Sequence, residues 1–304
     1  MSTILITGGT GLIGRALTKA LLERNYRVVI LTRNVKRMDS PDIKLRYVQW
    51  DADKQLIDNK AISEADYIIH LAGAGVADKR WTEKRKKEIV DSRVNSSKLI
   101  VDALKTVSDK VKAVISASAI GWYGEGGDAR QFEESDPPAG DFLGQTCKQW
   151  EESIEPVTQL GIRLVKLRTG IVLSKEGGAI KEFIRPMKFG VAAILGTGKQ
   201  IISWIHIDDL VNMYITAIEN EKMSGAYNAV APNPVSNKEL TLQLAKKRKN
   251  FFIPVHVPSF ILKLVLGEMS IEVLKSATVS SNKIQESGFL FKYATINEAL
   301  EKIV

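Results

Sequence analysis

Hydrophobic positions in the first half of the chain alternate between two rhythms. Short, nearly continuous apolar runs, TILIT (3–7), RVVILT (27–32), KLRYVQW (44–50), DYIIHLAG (66–73), KAVISASA (112–119) and IRLVKLRTG (162–170), have the length of buried strands. Between them the apolar positions recur at helical spacing. Leu12, Ile13, Ala16, Leu17, Ala20 and Leu21 share one face of a helix expected over about 11–25. Further helices are expected over about 82–106 and 142–155, the second stopped by Pro156. Strands that are apolar on both faces and separated by helices predict a doubly wound α/β fold, with a parallel sheet covered on both sides.

After Gly170 the rhythm loosens. The stretch 175–200 is glycine-rich and mixed, a helix is expected to start at about Asp208, and another near 237–248. Short strands, a Pro-punctuated stretch IPVHVPSF and two more helical patterns follow. The expected division is a parallel-sheet domain over 1–170, whose sheet also receives later segments around 200–230, and a smaller mixed α/β lobe over 171–304 packed on that sheet. Neither an internal repeat nor a low-complexity linker separates the two.

Composition narrows the function classes. The 304 residues are 44% hydrophobic, enough for a large core, and 43 Lys+Arg against 35 Asp+Glu give a net charge of +8. The basic clusters Lys79–Lys87 and Lys246–Lys249 are interleaved with apolar or acidic residues, as on solvated helix faces, so nucleic acid is not expected as a partner. Cys147 stands alone, excluding an internal disulfide and fitting a reducing compartment. The best candidate for a membrane span, FILKLVLG, is short and carries Lys263, and a strand beginning at residue 3 leaves no room for a signal peptide; cytoplasmic residence without a membrane partner is expected. His70, His206 and His256 are far apart in sequence, and no metal site is expected.

Chemistry enters with GGTGLIG (8–14), where Gly8, Gly11 and Gly14 recur every third residue between the first strand and the first helix. Glycines there let main-chain N–H groups approach an anion, and the helix N-terminus points partial positive charge at a pyrophosphate. At a strand-to-helix junction heading a β/α series, the triplet reads as a dinucleotide site. The second strand ends in Thr32 and Arg33, with no acid until Asp39. An acid would accept from a ribose 2′-hydroxyl, whereas an arginine pairs with a 2′-phosphate. Arg33 can also be read as a surface residue, but its position favours NADP.

The GxxGxxG spacing, together with HLAGAGVADKRWTEKRKKEIVDSR, SASAIGWYG, DFLGQTCKQWEE, LRTGIVLSKEGGAIK, GTGKQIISWIHIDDL, SGAYNAVAPNPVSNKEL and GEMSIEVLKSATVSSNKIQESGF in that order, resembles the atypical extended short-chain dehydrogenases/reductases. These are the NAD-dependent epimerase/dehydratase-like, or sugar-nucleotide epimerase-like, proteins, some once misnamed as cell-division inhibitors. The resemblance covers essentially the whole chain and implies a Rossmann sheet binding NADP(H), with the C-terminal lobe closing over the nicotinamide end. It assigns the cofactor to Gly8, Thr10, Gly11, Leu12, Ile13 and Gly14 at the turn, Thr32 and Arg33 at the 2′-phosphate, and Leu71, Ala72 and Gly73 after the fourth strand. Glu88, Arg93 (where extended relatives carry an asparagine) and Val172 complete the implied set. Asp51 is placed to meet the adenine edge or to close a turn.

The superfamily's catalytic unit is a Ser/Thr after the fifth strand and a Tyr-x-x-x-Lys on the next helix, whose lysine lowers the tyrosine pKa. Ser118 supplies the first element and Lys148 is a candidate for the last, but Gly144 stands four residues before it. Shifting the register to align Glu151 puts Cys147 at the lysine position and Leu143 at the tyrosine position. Tyr123 is the substitute phenol at hand, although packing is its favoured reading, and Cys147 reads as core. His206 reads equally as an acid/base facing the nicotinamide or as a group fixing a helix start. Arg168 and Lys166, at the end of the sixth strand, would suit an anionic substrate. The expected activity is an NADP(H)-dependent oxidoreductase or epimerase-like reaction on a small carbonyl or sugar-like molecule, in a chain that could form a homodimer; the alternative is a non-catalytic NADP(H) sensor.

Overall fold

The computed structural model describes residues 1–35, 40, 42–107, 110–126, 130–248 and 251–304. Asp39 and Lys249 lie outside them. A seven-stranded, wholly parallel sheet is built from β1 (Thr3–Thr7), β2 (Arg27–Thr32), β3 (Leu45–Gln49), β4 (Tyr67–His70), β5 (Ala113–Ala119), β6 (Arg163–Thr169) and β7 (Gly225–Ala229). Its order is β7-β6-β5-β4-β1-β2-β3, so the direction of winding reverses between β1 and β4. That reversal opens a crevice beyond the carboxyl ends of the two strands, the ligand position in open α/β sheets.

The two faces of the sheet are written into alternate residues. Ile4, Ile6, Val28, Ile30, Ile69 and Ile115 bury themselves on one side against Leu17 and Leu21 of α1 (Leu12–Glu23) and against Leu210, Met213 and Tyr214 of α6 (Ile207–Glu219). Leu5, Val29, Leu31, Ile68 and Val114 point the other way, against α2 (Asn59–Glu64), α3 (Glu83–Val107) and the turn of helix Glu155–Leu160. A strand must be apolar at every position to satisfy both layers, which is why these runs lack polar alternation. α4 (Phe142–Ile154) packs along α3 and leads into that helical turn, where Pro156 occupies the first positions.

Helix α1 stops two residues earlier than its apolar periodicity suggests, because Asn25 adopts a left-handed φ of 65° and its N–H closes on the Leu22 carbonyl 3.0 Å away. Helix α2 had no periodic signal in its six residues; it is nucleated by Asp58, whose side chain accepts from the N–H groups of Lys60 and Ala61 at 2.8 and 3.2 Å. The later chain is interleaved with the sheet. β7 and α6 belong to the large core, while α5 (Ala179–Met187), α7 (Asn237–Lys247) and α11 (Ile296–Ile303) surround a second one built on Leu173, Trp204, Leu240 and Leu300. A hairpin of residues 171–178, paired to residues 204–206, reaches back over the start of α1. No helix of the described residues is long and apolar enough to cross a membrane.

Candidate functional site

The glycine turn closes on itself and on β4. Gly8 has φ +69°, and a Cβ there would stand 2.8 Å from the main-chain carbonyl of Leu71. At Gly14 a Cβ would press 2.5 Å from both the Gly8 oxygen and the Gly9 Cα, so the first turn of α1 sits directly against the loop. Gly11 donates its N–H to the Gly8 carbonyl (3.0 Å) and, with φ −75° and ψ 177°, is the N-cap of α1 without making a side-chain cap bond. Among the described residues no side chain claims the helix's first N–H groups, those of Leu12, Ile13 and Gly14. A pyrophosphate fits this cradle: unclaimed donors, the positive end of a helix, and no Cβ in the way.

A buried polar chain braces the turn from below. Thr7 Oγ1 lies 2.7 Å from His70 Nδ1 and accepts the N–H groups of both Leu71 and Ala72 at 3.2 Å. His70 Nε2 reaches Ser97 Oγ at 3.1 Å. The ring is fully buried, and that burial holds its pKa down to about 3, so the imidazole is neutral. The signal available in sequence was a histidine ending an apolar strand beside small residues, which on its own said only that one polar group was buried there.

The residues expected to meet an adenosine lie at the end of β2. Thr32 is buried and its Oγ1 accepts the Asn34 N–H at 3.3 Å. Arg33 is exposed; its carbonyl takes Gln49 Nε2 at 3.0 Å while its guanidinium has no protein partner among the described residues. Asp51 is spent on a turn, accepting from the N–H groups of Asp53 (3.1 Å) and Lys54 (3.3 Å). Thr10 is exposed, and its carbonyl oxygen accepts from Arg15 Nη1 at 2.7 Å.

On the β4 side, Gly73 abuts Arg93, to whose Cγ and Cζ a Cβ would stand at 3.2 Å. Glu88 turns away from this group to Arg85, with Oε2 2.8 Å from Nη1, and that bond lowers its pKa. Val172 is brought in from the far lobe: Cβ atoms on Gly177 and Gly178 would meet the Leu12 side chain at 3.5 and 3.3 Å, so the 171–178 hairpin leans on the start of α1.

Beyond β5 the polar groups are interlocked. Ser118 Oγ donates to Glu151 Oε1 at 2.7 Å. Arg168 grips the same carboxylate through Nε (2.8 Å) and Nη2 (3.1 Å), and its Nη1 donates to Tyr123 Oη and the Glu134 carbonyl, both at 3.1 Å. The Tyr123 hydroxyl donates to Asn228 Oδ1 at 2.7 Å, while Asn228 N–H is held by Glu134 at 2.7 Å. Tyr123 is 1% exposed, stacks on Phe132, and burial raises its pKa to about 12. Arg168 is therefore committed to Glu151 rather than left for an anionic substrate. Sequence reasoning had singled out Ser118, Tyr123, Glu151 and Arg168 separately; their union, and the part of Asn228 and Glu134, needed the fold.

The faces of α4 decide between the two registers. Lys148 is about half exposed and pairs with Glu152 at 3.5 Å, one turn on. Gly144 is buried against the main chain of Ala139, where a Cβ would collide with the carbonyl. Leu143 and Cys147 face the end of β5: a Cβ on Gly121 would stand 3.2 Å from Leu143 Cβ and 3.6 Å from Cys147 Sγ. With Glu151 on Ser118, the face toward the crevice reads Leu143, Cys147, Glu151. The Cys147 thiol is buried and its pKa is raised to about 12, so it is protonated.

His206 caps α6, its Nδ1 accepting the Asp208 N–H at 3.1 Å, and its ring packs 4.0 Å from that of Tyr293. Burial lowers its pKa to about 4, which keeps Nδ1 free to accept. Asp209 beside it takes the N–H groups of Lys292 (2.9 Å) and Tyr293 (3.0 Å), pinning the C-terminal segment to α6.

A glycine cradle at the β1–β4 reversal of a parallel sheet defines the Rossmann-type fold of NAD(P)-binding proteins. Residues 4–229 match the model of the NAD dependent epimerase/dehydratase family and residues 257–303 a domain of unknown function, DUF1731. The chain belongs to that epimerase family, in its atypical short-chain dehydrogenase/reductase branch. It is 36% identical to the epimerase family protein YfhF of Bacillus subtilis (strain 168), over 99% of this chain and 97% of that one. The epimerase family protein SH2119 of Staphylococcus haemolyticus is 35% identical over 100% of this chain and 99% of that one. Among solved structures, the human epimerase family protein SDR39U1 (isoform 2) with NADPH superposes with a TM-score of 0.86 at 27% identity, covering 99% of this chain and 98% of that one.

Proposed function

We propose that the protein binds NADP(H) and exchanges a hydride between its nicotinamide and a small carbonyl- or hydroxyl-bearing substrate, in a site without the phenol its superfamily uses. The observation that carries the cofactor choice is Arg33: an exposed guanidinium immediately beyond β2, without a partner among the described residues and with no acid in the sequence until Asp39. The NADPH in the human relative's structure supports the same reading.

The glycine turn and the start of α1 hold the pyrophosphate, Arg33 the 2′-phosphate, and the neutral Thr7–His70–Ser97 chain keeps the turn rigid. Bound cofactor supplies a hydride donor or acceptor at nicotinamide C4. The helix that would bring a phenol, FLGQTCKQWEESI, contains none. Ser118 Oγ is then the hydroxyl nearest in sequence role to bind a substrate oxygen, with its proton now directed at Glu151 Oε1. The 171–178 hairpin leans on Leu12 and so covers the start of α1 beside the glycine turn. His206, engaged as a helix cap, acts by positioning α6 and not as an acid.

The closed Ser118–Glu151–Arg168–Tyr123 network favours a second reading, a sensor that binds NADP(H) without turning it over. NADPH oxidation against a panel of aldehydes, ketones and keto-sugars separates the two: turnover that Ser118→Ala abolishes establishes the enzyme, and tight binding with no turnover establishes the sensor. For the cofactor itself, a charged contact to phosphate contributes about 1.5–3 kcal/mol, so Arg33→Ala should weaken NADPH about ten- to hundredfold and leave NADH unaffected. Equal losses for both would make Arg33 structural.

A further inference from the structure

The C-terminal lobe exposes its apolar side chains in one stretch of sequence. Among the described residues fifteen large apolar side chains are exposed, and eight of them fall between Phe251 and Ile271. None of the fifteen lies on α3 or α4. The centre of the group is α8 (Ser259–Leu266), whose residues SFILKLVL include one charge, Lys263. Leu262 is its buried residue, while Phe260, Leu264 and Val265 are 70, 75 and 65% exposed and Ile261 joins them. Those four stand at i, i+1, i+4 and i+5, one continuous stripe of a helix, with Leu262 on the other side. A helix that is apolar all round belongs inside a protein, yet this one turns a broad stripe to solvent. The short helix α9 (Ser270–Leu274), which packs on α8, adds Ile271.

The strand leading into α8 repeats the pattern. Ile253–Val257 pairs in parallel with Val191–Leu195, in the register Ile253↔Val191, Val255↔Ala193 and Val257↔Leu195. Paired residues share a face of a sheet, so one face of this ribbon carries those six apolar side chains, and none of them is buried. The free edge of the strand is blunted. Ile253 N–H bonds the Gly190 carbonyl at 2.9 Å, so residue 254 would donate outward, and it is a proline. Addition of a further strand is thereby disfavoured, which leaves contact through the faces. At roughly 100 Å² of apolar surface each, the eight side chains offer on the order of 800 Å², the share one partner contributes to a stable interface. A helix that lies on a membrane has a cationic polar face, but residues 251–274 set Lys263 against Glu268 and Glu272. An apolar patch with few charges, of both signs, is complementary to a copy of itself, as a two-fold contact requires.

We infer that the exposed stripe of α8, with the strand face that precedes it, is the two-fold contact of a homodimer. The inference is independent of the cofactor reading. Sedimentation velocity of the full chain from about 1 to about 100 μM should show twice the chain mass at the upper end. Leu264→Glu puts a charge in the stripe and should weaken association about a hundredfold or more, leaving a monomer with the wild-type circular dichroism. Val265→Lys, of opposite sign, should do the same, and it decides the question if the glutamate variant does not fold. Gln149→Glu, on the exposed side of α4, should leave the dimer intact. Raising salt from about 0.1 to about 0.5 M should not weaken the dimer, because salt does not screen apolar contact. A monomer at about 100 μM, a dimer that both stripe variants leave intact, or a dimer that Gln149→Glu dissociates overturns the assignment. Vesicles of phosphatidylcholine and phosphatidylserine should not carry the protein down; sedimentation with them that Leu264→Glu abolishes would give the stripe to lipid and overturn it as well.

Discussion

The crevice over β1, β2 and β4 and the packed end of β5, β6 and α4 stand side by side, and they use their polar groups in opposite ways. In the crevice the first N–H groups of α1, the Arg33 guanidinium and two donors of Arg93 have no side-chain partner among the described residues. Around β5 the polar groups answer one another in a chain: Ser118 by Glu151, Glu151 by Arg168, Arg168 by Tyr123, Tyr123 by Asn228. Unanswered donors at the mouth of a sheet mark where a ligand completes the structure, and answered ones buried beside it hold the scaffold unless a substrate takes over a bond, the part proposed for Ser118. The two regions differ in this even though the family resemblance assigns functional residues to both.

The largest effect should come from breaking the answered side. Glu151→Leu leaves the Arg168 charge, 3% exposed, without its carboxylate. Removing one partner of a buried pair costs about 3–5 kcal/mol. Urea denaturation should show that loss, with the double variant Glu151→Leu/Arg168→Met less destabilised than either single one. A cost below about 1 kcal/mol would mean that the network is loosely held and the contrast overstated.

Next come the glycines, which should separate folding from binding. A Cβ at Gly14 meets main chain at 2.5 Å, so Gly14→Ala should cost about 1–3 kcal/mol of stability and the cofactor as well. A Cβ at Gly11 meets only the Gly8 oxygen, at 3.3 Å, and its φ of −75° suits any residue. Gly11→Val should keep the fold and lose NADPH, because its branches enter the space of the pyrophosphate. A folded Gly11→Val protein with full affinity would remove the cradle from the site.

A smaller, pH-dependent effect tests the brace beneath the turn. His70 has a folded pKa of about 3 against 6.5 for the free side chain. A depressed folded pKa means the unfolded chain takes up the proton first, so the contribution is complete above about pH 6.5 and is lost as pH falls toward about 3. At about pH 5 the loss should reach about 2 kcal/mol. His206, with a folded pKa of about 4, adds a parallel loss in the same window. His70→Gln should therefore show a shallower decline in stability between about pH 7.5 and about pH 5 than the wild type. An unchanged slope would show that His70 titrates normally and is not sealed.

What could be read in sequence was what repeats or stands in a fixed local spacing. The alternating strand and helix rhythm located β1 to β6 because each element had to be apolar over its own length. The glycine turn was legible for the same reason, since its geometry depends on residues within seven positions. The network around Ser118 was not, because it joins residues 17 to 105 positions apart, and nothing in a local window says that Tyr123 meets Asn228. The ion pair of Glu88, which the resemblance assigns to the cofactor, with Arg85 three residues before it was likewise visible only in the structure. The facing of α4 was undecided for a third reason, that Gly144, Cys147 and Lys148 give two registers differing by one residue, and only the packing of Gly144 against Ala139 and of Cys147 against the β5 turn separates them.

That last distinction yields the smallest expected effect and the sharpest test of the comparison. If Lys148 were the lysine of a catalytic unit, its removal would cost orders of magnitude in turnover and weaken the cofactor. In the structure its ammonium is on the solvent side of α4, 3.5 Å from Glu152 in an i,i+4 pair, while Cys147 occupies the inward face. Exposed pairs of this kind contribute about 0.3–0.5 kcal/mol. Lys148→Ala should therefore lower stability by no more than about that amount and leave NADPH affinity and any carbonyl-dependent turnover within about twofold of wild type. A loss of turnover or affinity beyond tenfold, in a variant that unfolds at the wild-type denaturant concentration, would put Lys148 in the site and reverse the register of α4. The inward thiol would then be a bystander.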